Sequence, residues 1–192
     1  MAQTVNTYSP KSYSFLEPVV KANHINQETG LILGFKGGYV FRGKFSVGIG
    51  FNHLFSENVK APLQSSRLAD IPFARMNYLK GDLEYKVYQL SVIDFHIISS
   101  LSAGRATYID PINAFTFSTE NFKIVETGIV GGINISNRLQ LRVGGSYGFL
   151  LDRNDINYSI PTIGFHSGEG SIPLNYHGFS ASISVRLKLN EY

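Results

Sequence analysis

The residues of this sequence that could do chemistry are charged side chains set two or four positions apart. Lys80, Asp82, Glu84 and Lys86 occupy alternate positions, and Glu17 with Lys21, Arg138 with Arg142, and Arg186 with Lys188 keep the same parity. A step of two puts such groups on one face of a β-strand. Lys36, Asp94, His96 and Glu126 fall on the matching parity of their own segments. Turned into an enclosed space, these groups could line an ion path, gate one, or neutralise one another as a polar plug. If Val87 pairs with Ile93 across a turn, Lys86 falls opposite Asp94 and Glu84 opposite His96. Opposite charges facing each other across strands stabilise by a few tenths to about 1 kcal/mol per pair. In a low-dielectric interior they have to be paired.

Three histidines, His24, His53 and His177, stand toward one end of their segments, where they could serve a hydrolase or a weak metal site. No acidic residue shares their parity beside them, so no catalytic residue, metal ligand or cofactor-binding residue is assigned. The glycines from Gly128 to Gly132 are not a phosphate loop, because no Lys-Ser/Thr pair and no helix follows. Cysteine is absent, which excludes disulfides and thiol chemistry. A net charge of +3 with scattered basic residues leaves no footprint for nucleic acid.

The elements that position these groups are strands with two unlike faces. Between Gly30 and Phe55 the apolar residues Leu31, Leu33, Phe35, Tyr39 and Phe41, then Phe45, Val47, Ile49 and Phe51, alternate with glycine, serine, asparagine and Lys36. A first strand is expected from Tyr13 to His24, interrupted by Pro18, with residues 1–12 as a leader. Further strands are expected at about Arg75–Val87, Ser91–Ala106, Asn121–Ile135, Arg138–Phe149 and Gly178–Leu189, which makes eight. Long connections fall at Ser56–Ala74, Thr107–Glu120 and Leu151–Leu174. The turns at Arg42–Lys44, after Val87 and at Ser136-Asn137 are short. Short turns on one rim and long loops on the other, with strands near the 9 to 11 residues that cross a bilayer at a tilt, describe an all-β, eight-stranded antiparallel up-and-down transmembrane barrel. Its interior is only just wide enough for its own side chains, which favours the plug. If His24 pairs with Leu31, Glu17 lies opposite Gly38 and diagonal to Lys36. No run approaches the 18 to 20 apolar residues of a transmembrane helix, a test to which strands are invisible. The alternatives are a soluble lipocalin-like barrel with the apolar parity turned inward around a small ligand, and a narrow channel.

The hairpin Gly30–Phe51, the second hairpin Asn121–Phe149 and the terminal strand Gly178–Leu189 resemble the small outer-membrane β-barrel family of Gram-negative bacteria, of the OmpA-like transmembrane type. The resemblance spans nearly the whole chain. It implies a structural or adhesive protein of the outer membrane, or a small subunit of a larger envelope complex, without enzymatic activity. Outer-membrane lipid and lipopolysaccharide, and other outer-membrane proteins, are the partners it implies. Met1–Asn6 has no basic and apolar signal segment, so a signal peptide is expected in the precursor and absent from this chain. The last strand matches the family's assembly signal at Gly178–Leu189, with Tyr192 out of phase. Tyr39, Phe41, Phe45, Phe51, Phe55, Tyr85, Tyr147 and Phe149 are expected to form aromatic girdles.

Overall fold

The computed structural model describes residues 12–25, 28–55, 73–109, 116–152, 157–159, 169–171, 176 and 178–191. Among the described residues ten strands are formed: β1 (Tyr13–Ile25), β2 (Glu28–Phe41), β3 (Phe45–Leu54), β4 (Phe73–Leu90), β5 (Ile93–Ile109), β6 (Thr116–Asn134), β7 (Leu139–Asp152), β8 (Asn157–Ser159), β9 (Glu169–Ser171) and β10 (Gly178–Glu191). Eight of them close a barrel in the order β1-β10-β7-β6-β5-β4-β3-β2, all antiparallel, while β8 and β9 pair as a small separate hairpin. Closure leaves no barrel edge unpaired. The expected leader lies outside the described residues except Ser12, whose hydroxyl accepts the N–H of Arg42 at 2.9 Å.

Alternation decides the orientation of every strand. Glu17, Lys21, Lys36, Asp82, Glu84, Asp94, His96, Glu126, Arg142 and Arg186 are buried, while Ile49, Leu79, Leu83, Leu101, Ile129, Val143, Phe179 and Ile183 on the other parity are exposed. Ile49 is 74% exposed and Phe179 80%. A soluble lipocalin-like barrel requires the reverse, so that alternative is overturned: a continuous apolar wall of this extent is not stable against water. Aromatic side chains gather at both ends of the wall. Tyr39 and Phe41 meet edge to face at 4.8 Å near the short turns, and Tyr147 and Phe179 at 5.1 Å near the long loops.

The short turns have local causes. Arg42 and Gly43 both take positive φ, as a type I′ turn requires, and the N–H of Lys44 donates to the Phe41 carbonyl at 3.0 Å. Ser91, also at positive φ, opens the two-residue turn between Leu90 and Ile93. At the third turn the hydroxyl of Ser136 accepts the N–H groups of Arg138 and Leu139. In β1 the pairs to β10 flank Glu17 and Pro18, at Leu16↔Leu187 and Val19↔Ser184. Proline has no N–H to give a ladder, so its place is in the closing seam with its ring outward.

Three local expectations are corrected. The loop expected at Thr107–Glu120 is mostly strand, since β5 continues to Ile109 and β6 begins at Thr116. Thr107, Tyr108, Thr116 and Thr119 are β-formers, and their ladder, paired on the other side by β4 up to Phe73↔Ile109, extends beyond the last β6–β7 pair at Lys123↔Asp152. The β4–β5 register is not Val87↔Ile93. A bulge after Lys86 shifts it so that Leu90 faces Ile93, Lys86 faces His96 and Glu84 faces Ile98. The bulge lets Tyr85, Val87, Tyr88 and Leu90 all point outward, which strict alternation forbids. Finally the β1–β2 loop is only two residues long, so Glu17 stands directly opposite Lys36 rather than opposite Gly38.

Candidate functional site

The lumen holds the chemistry. Its central group comes from five strands: Lys36 on β2, Glu17 on β1, Arg186 on β10 and Arg142 on β7, which are successive neighbours, and Glu84 on β4, which is separated from them by β3 on one side and by β5 and β6 on the other. Arg142 donates to Glu84 through both terminal nitrogens, at 2.8 and 3.2 Å, and to Glu17 at 2.9 and 3.0 Å. Arg186 gives its Nε to Glu17 at 2.7 Å and its Nη2 to both oxygens of Glu84, at 2.9 and 3.0 Å. Lys36 adds a bond to Glu84 at 2.7 Å and lies 3.2 Å from Asp82 and 3.6 Å from Glu17. Ser184 and Ser46 donate their hydroxyls to Glu17 and Glu84. Beneath this group Phe15 offers its ring to the Arg186 guanidinium, 3.9 Å from the centroid. Arg142 and Arg186 are each 1% exposed and Glu84 2%.

Toward the long loops a second group is built on Glu126, which takes an ion pair from Lys21, one from Lys80 at 3.1 Å, and the hydroxyl of Tyr176 at 2.7 Å. Lys80 also reaches Asp82 at 3.4 Å, which links the two groups. Toward the short turns lies a third group. Gln140 donates to Asp94 at 2.9 Å, the His96 Nε2 approaches Asp94 at 3.0 Å, Lys86 stands 4.0 Å from Asp94, and Lys188 donates to Asn134 at 2.8 Å. Thirteen of the fourteen charged or titratable residues expected in the interior therefore reach it. Arg138 does not: it occupies the exposed bend before β7 begins, past the rim of the barrel.

Sequence parity missed several members. Tyr176 belongs to no strand, so no alternation could place it. Phe15, Ser46, Gln140 and Ser184 carried no formal charge to draw notice, although their parity was inward. Parity also missed an apolar end to the lumen. Ile25, Ile32, Leu54, Ala74, Met76, Tyr78, Ala106, Tyr108, Phe122, Ile124 and Tyr176 form one buried cluster at the long-loop side of the polar groups. The available signal was apolar residues on both parities at the upper strand ends, as in Leu31-Ile32-Leu33 and Ile124-Val125. Within the polar network a cavity of about 60 Å³ is lined by Val19, Ser100, Val130, Ser182 and Ser184, with the Lys36 and Glu126 side chains. That is room for a few waters with polar partners.

The histidines do not converge. His24 lies 3.3 Å from the Thr29 hydroxyl, His53 contacts the Asn77 side-chain oxygen at 2.6 Å on the outer wall, and His177 lies outside the described residues. Among the described residues no group of three His, Cys, Asp or Glu is placed to hold a metal ion.

Comparison with solved structures decides the architecture. Over 93% of this chain and 97% of the other, the barrel superimposes on neisserial surface protein A with a TM-score of 0.55 at 15% identity. The fold is that of the small outer-membrane β-barrels. The N-terminal barrel domain of OprF from Pseudomonas aeruginosa matches with a TM-score of 0.59 at 9% identity, covering 94% of this chain and 99% of that one. OprG from the same organism matches with a TM-score of 0.61 at 8% identity over 95% and 97%. No protein-family model matches the sequence, and no curated protein does. At these identities the likeness shows the barrel fold alone.

Proposed function

We propose that this protein is an integral outer-membrane barrel whose interior is a structural plug, with its work done by its outer surfaces as a structural or adhesive component of the envelope. The observation that carries the reading is the burial of the central group. A guanidinium that is 1% exposed, as both Arg142 and Arg186 are, has no water-filled path running beside it. A conducting lumen keeps its charged residues hydrated, and eight strands leave little space beyond the side chains themselves. Ion pairing points the same way. Lys21, Lys36, Lys80, Arg142 and Arg186 are each matched to Glu17, Asp82, Glu84 or Glu126 at ion-pair distance, as mutual neutralisation demands and ion transit does not.

The exposed apolar wall, about as tall as its strands are long, supports the membrane location. The absence of enzymatic activity belongs to the same proposal: the buried carboxylates are saturated by cations, and no nucleophile and base converge on an open surface among the described residues. The test is planar-bilayer recording of the refolded, heat-modifiable chain. No steady conductance is expected. A stable ohmic pore whose ion selectivity changes with Lys36→Glu overturns the plug.

A further inference from the structure

Cations are rare on the outer wall, and their placement is not random. Among the described strand residues the only Lys and Arg side chains of the outward parity are Arg75 on β4, Arg105 on β5 and Lys123 on β6, all three exposed. The register brings them together. Arg75 pairs with Thr107, so Arg105 is its diagonal neighbour; Arg105 pairs with Asn121, so Lys123 is the next diagonal neighbour. Same-face diagonal neighbours on antiparallel strands stand about 7–8 Å apart. Three like charges therefore share one patch toward the long-loop rim, with the Arg75 guanidinium 5.5 Å from the Phe73 ring centroid.

The surroundings suit an amphiphilic anion. One straight row across the sheet reads His53↔Asn77↔Arg105↔Asn121, a line of hydrogen-bonding side chains through the patch. The next row, away from the rim, reads Phe51↔Leu79↔Ala103↔Lys123, so polar surface gives way to apolar wall within one step along the strands. A depression of about 640 Å³ opens there, floored by Ala103 and Gly104 beside the larger, outward-facing Phe51 and Leu79. It is built from two small residues, and its lining joins Asn77, Arg105, Asn121 and Lys123 to apolar side chains. A cation patch bordering an apolar dent is complementary to a phosphate attached to an acyl chain, and unlike what a soluble acidic protein offers. Asp152 is the register partner of Lys123 on β7, so Arg75 and Arg105 carry most of the complementarity.

We propose that this face of β4, β5 and β6 binds the phosphate headgroup of an outer-leaflet glycolipid, with Arg75, Arg105 and Lys123 on the phosphate, His53, Asn77 and Asn121 flanking it, and an acyl chain along the Ala103–Gly104 dent. The proposal rests on the membrane reading above and is separable from the plug. The experiment uses the full chain refolded in neutral detergent, with heat-modifiable gel mobility as proof of a closed barrel. Binding of bisphosphorylated lipid A is compared with that of the same lipid freed of its phosphates, by native mass spectrometry. The intact chain is expected to retain the phosphorylated form selectively. Replacing Arg75, Arg105 and Lys123 by Gln should weaken retention on the order of a hundredfold, since each cation at an anionic lipid surface contributes a factor of about five. Arg42→Gln with Lys44→Gln, two exposed cations at the opposite rim, should leave it unchanged. Equal retention by the triple variant, equal loss in the Arg42/Lys44 control, or full competition by inorganic phosphate at the lipid's own concentration overturns the site. Lack of heat-modifiable mobility in the intact chain would instead overturn the membrane reading, and the two failures are thereby told apart.

Discussion

Glu84→Gln is the sharpest perturbation of the lumen, because it keeps the shape and removes only the charge. The Glu84 carboxylate takes bonds from Lys36, Ser46, Arg142 and Arg186 and is 2% exposed. In the variant one oxygen becomes an amide nitrogen that must point its hydrogens toward two guanidinium groups. Lys36, Arg142 and Arg186 are then left with Glu17 and a share of Asp82. Removing one partner of a buried ion pair costs about 3 to 5 kcal/mol, mostly because the other partner's charge stays buried without compensation. Here two arginines and a lysine lose a partner at once, so the upper part of that range is expected. The coupled variant tests the cause. Adding Arg142→Gln removes the surplus cation, and the double variant should then be more stable than the sum of the single losses by more than 1 kcal/mol, as residues of one network are.

The assay is equilibrium urea unfolding in lipid vesicles, followed by circular dichroism and heat-modifiable mobility, since the chain has no tryptophan for fluorescence. Lys86→Gln serves as the reference. Lys86 is only partly buried and lies 4.0 Å from Asp94, so its loss should fall within the 0 to about 1 kcal/mol of a solvated pair. A Glu84→Gln loss no larger than that of Lys86→Gln, or strictly additive losses in the double variant, would refute the network as the source of stability.

Arg at Ile183, 49% exposed on the outer wall, should cost about 2 to 4 kcal/mol in vesicles if that position meets the bilayer midplane, and little if the wall faces water. Gly38 and its neighbour Gly37 should respond oppositely to Val. A side chain at Gly38 would run into the Phe15 ring and the β3 backbone at Val47 and Gly48, whereas one at Gly37 meets the Leu16 side chain and the Phe15 carbonyl at ordinary contact distance; refolding yield separates them. Tyr176→Phe removes the hydroxyl bonds to Glu126 and from Lys21, and should lower stability by about 1.5 to 3 kcal/mol, the range for a hydrogen bond to a charged group, without altering gel mobility.

The fold was legible because a barrel writes a period of two into every strand. Residues on one face of Phe45–Leu54 or Gly178–Leu189 differ so much from those on the other that orientation follows without any long-range information. Loop lengths then set the two rims. The local errors come from places where alternation breaks: the bulge after Lys86 and the β-branched extension of β5 and β6 past the apparent loop. The site was legible as a list and illegible as a set of contacts. Pairing charges by cross-strand neighbours finds Glu17 with Lys36, yet the strongest bonds of Glu84 run to β7 and β10 across the lumen, 58 and 102 residues away. Those partners depend on barrel closure and stagger, and no local pattern encodes them. Arg138 was misplaced because parity alone does not show where a strand starts.

In the plug we propose, two layers of opposite character close the same lumen. The central arginine–carboxylate group neutralises its own charges, so it presents an entering ion with pairs already satisfied and no net well to occupy. Above it, the cluster from Ile25 to Phe122 has only Tyr78, Tyr108 and Tyr176 hydroxyls for polar atoms, so an ion there would lose its water with little in exchange. Either layer opposes conduction by itself, and they do so for different physical reasons. Breaking the polar layer, as Lys36→Glu does, leaves the apolar one intact. A barrier to ions does not by itself require the buried charges, since the apolar layer supplies one as well. Their bonds tie β1, β2, β4, β7 and β10 together across the centre of a barrel whose wall is otherwise held by neighbour-to-neighbour ladders alone. The structural role we propose for the interior rests on those bonds, and under that proposal the outer wall is where this protein meets its surroundings.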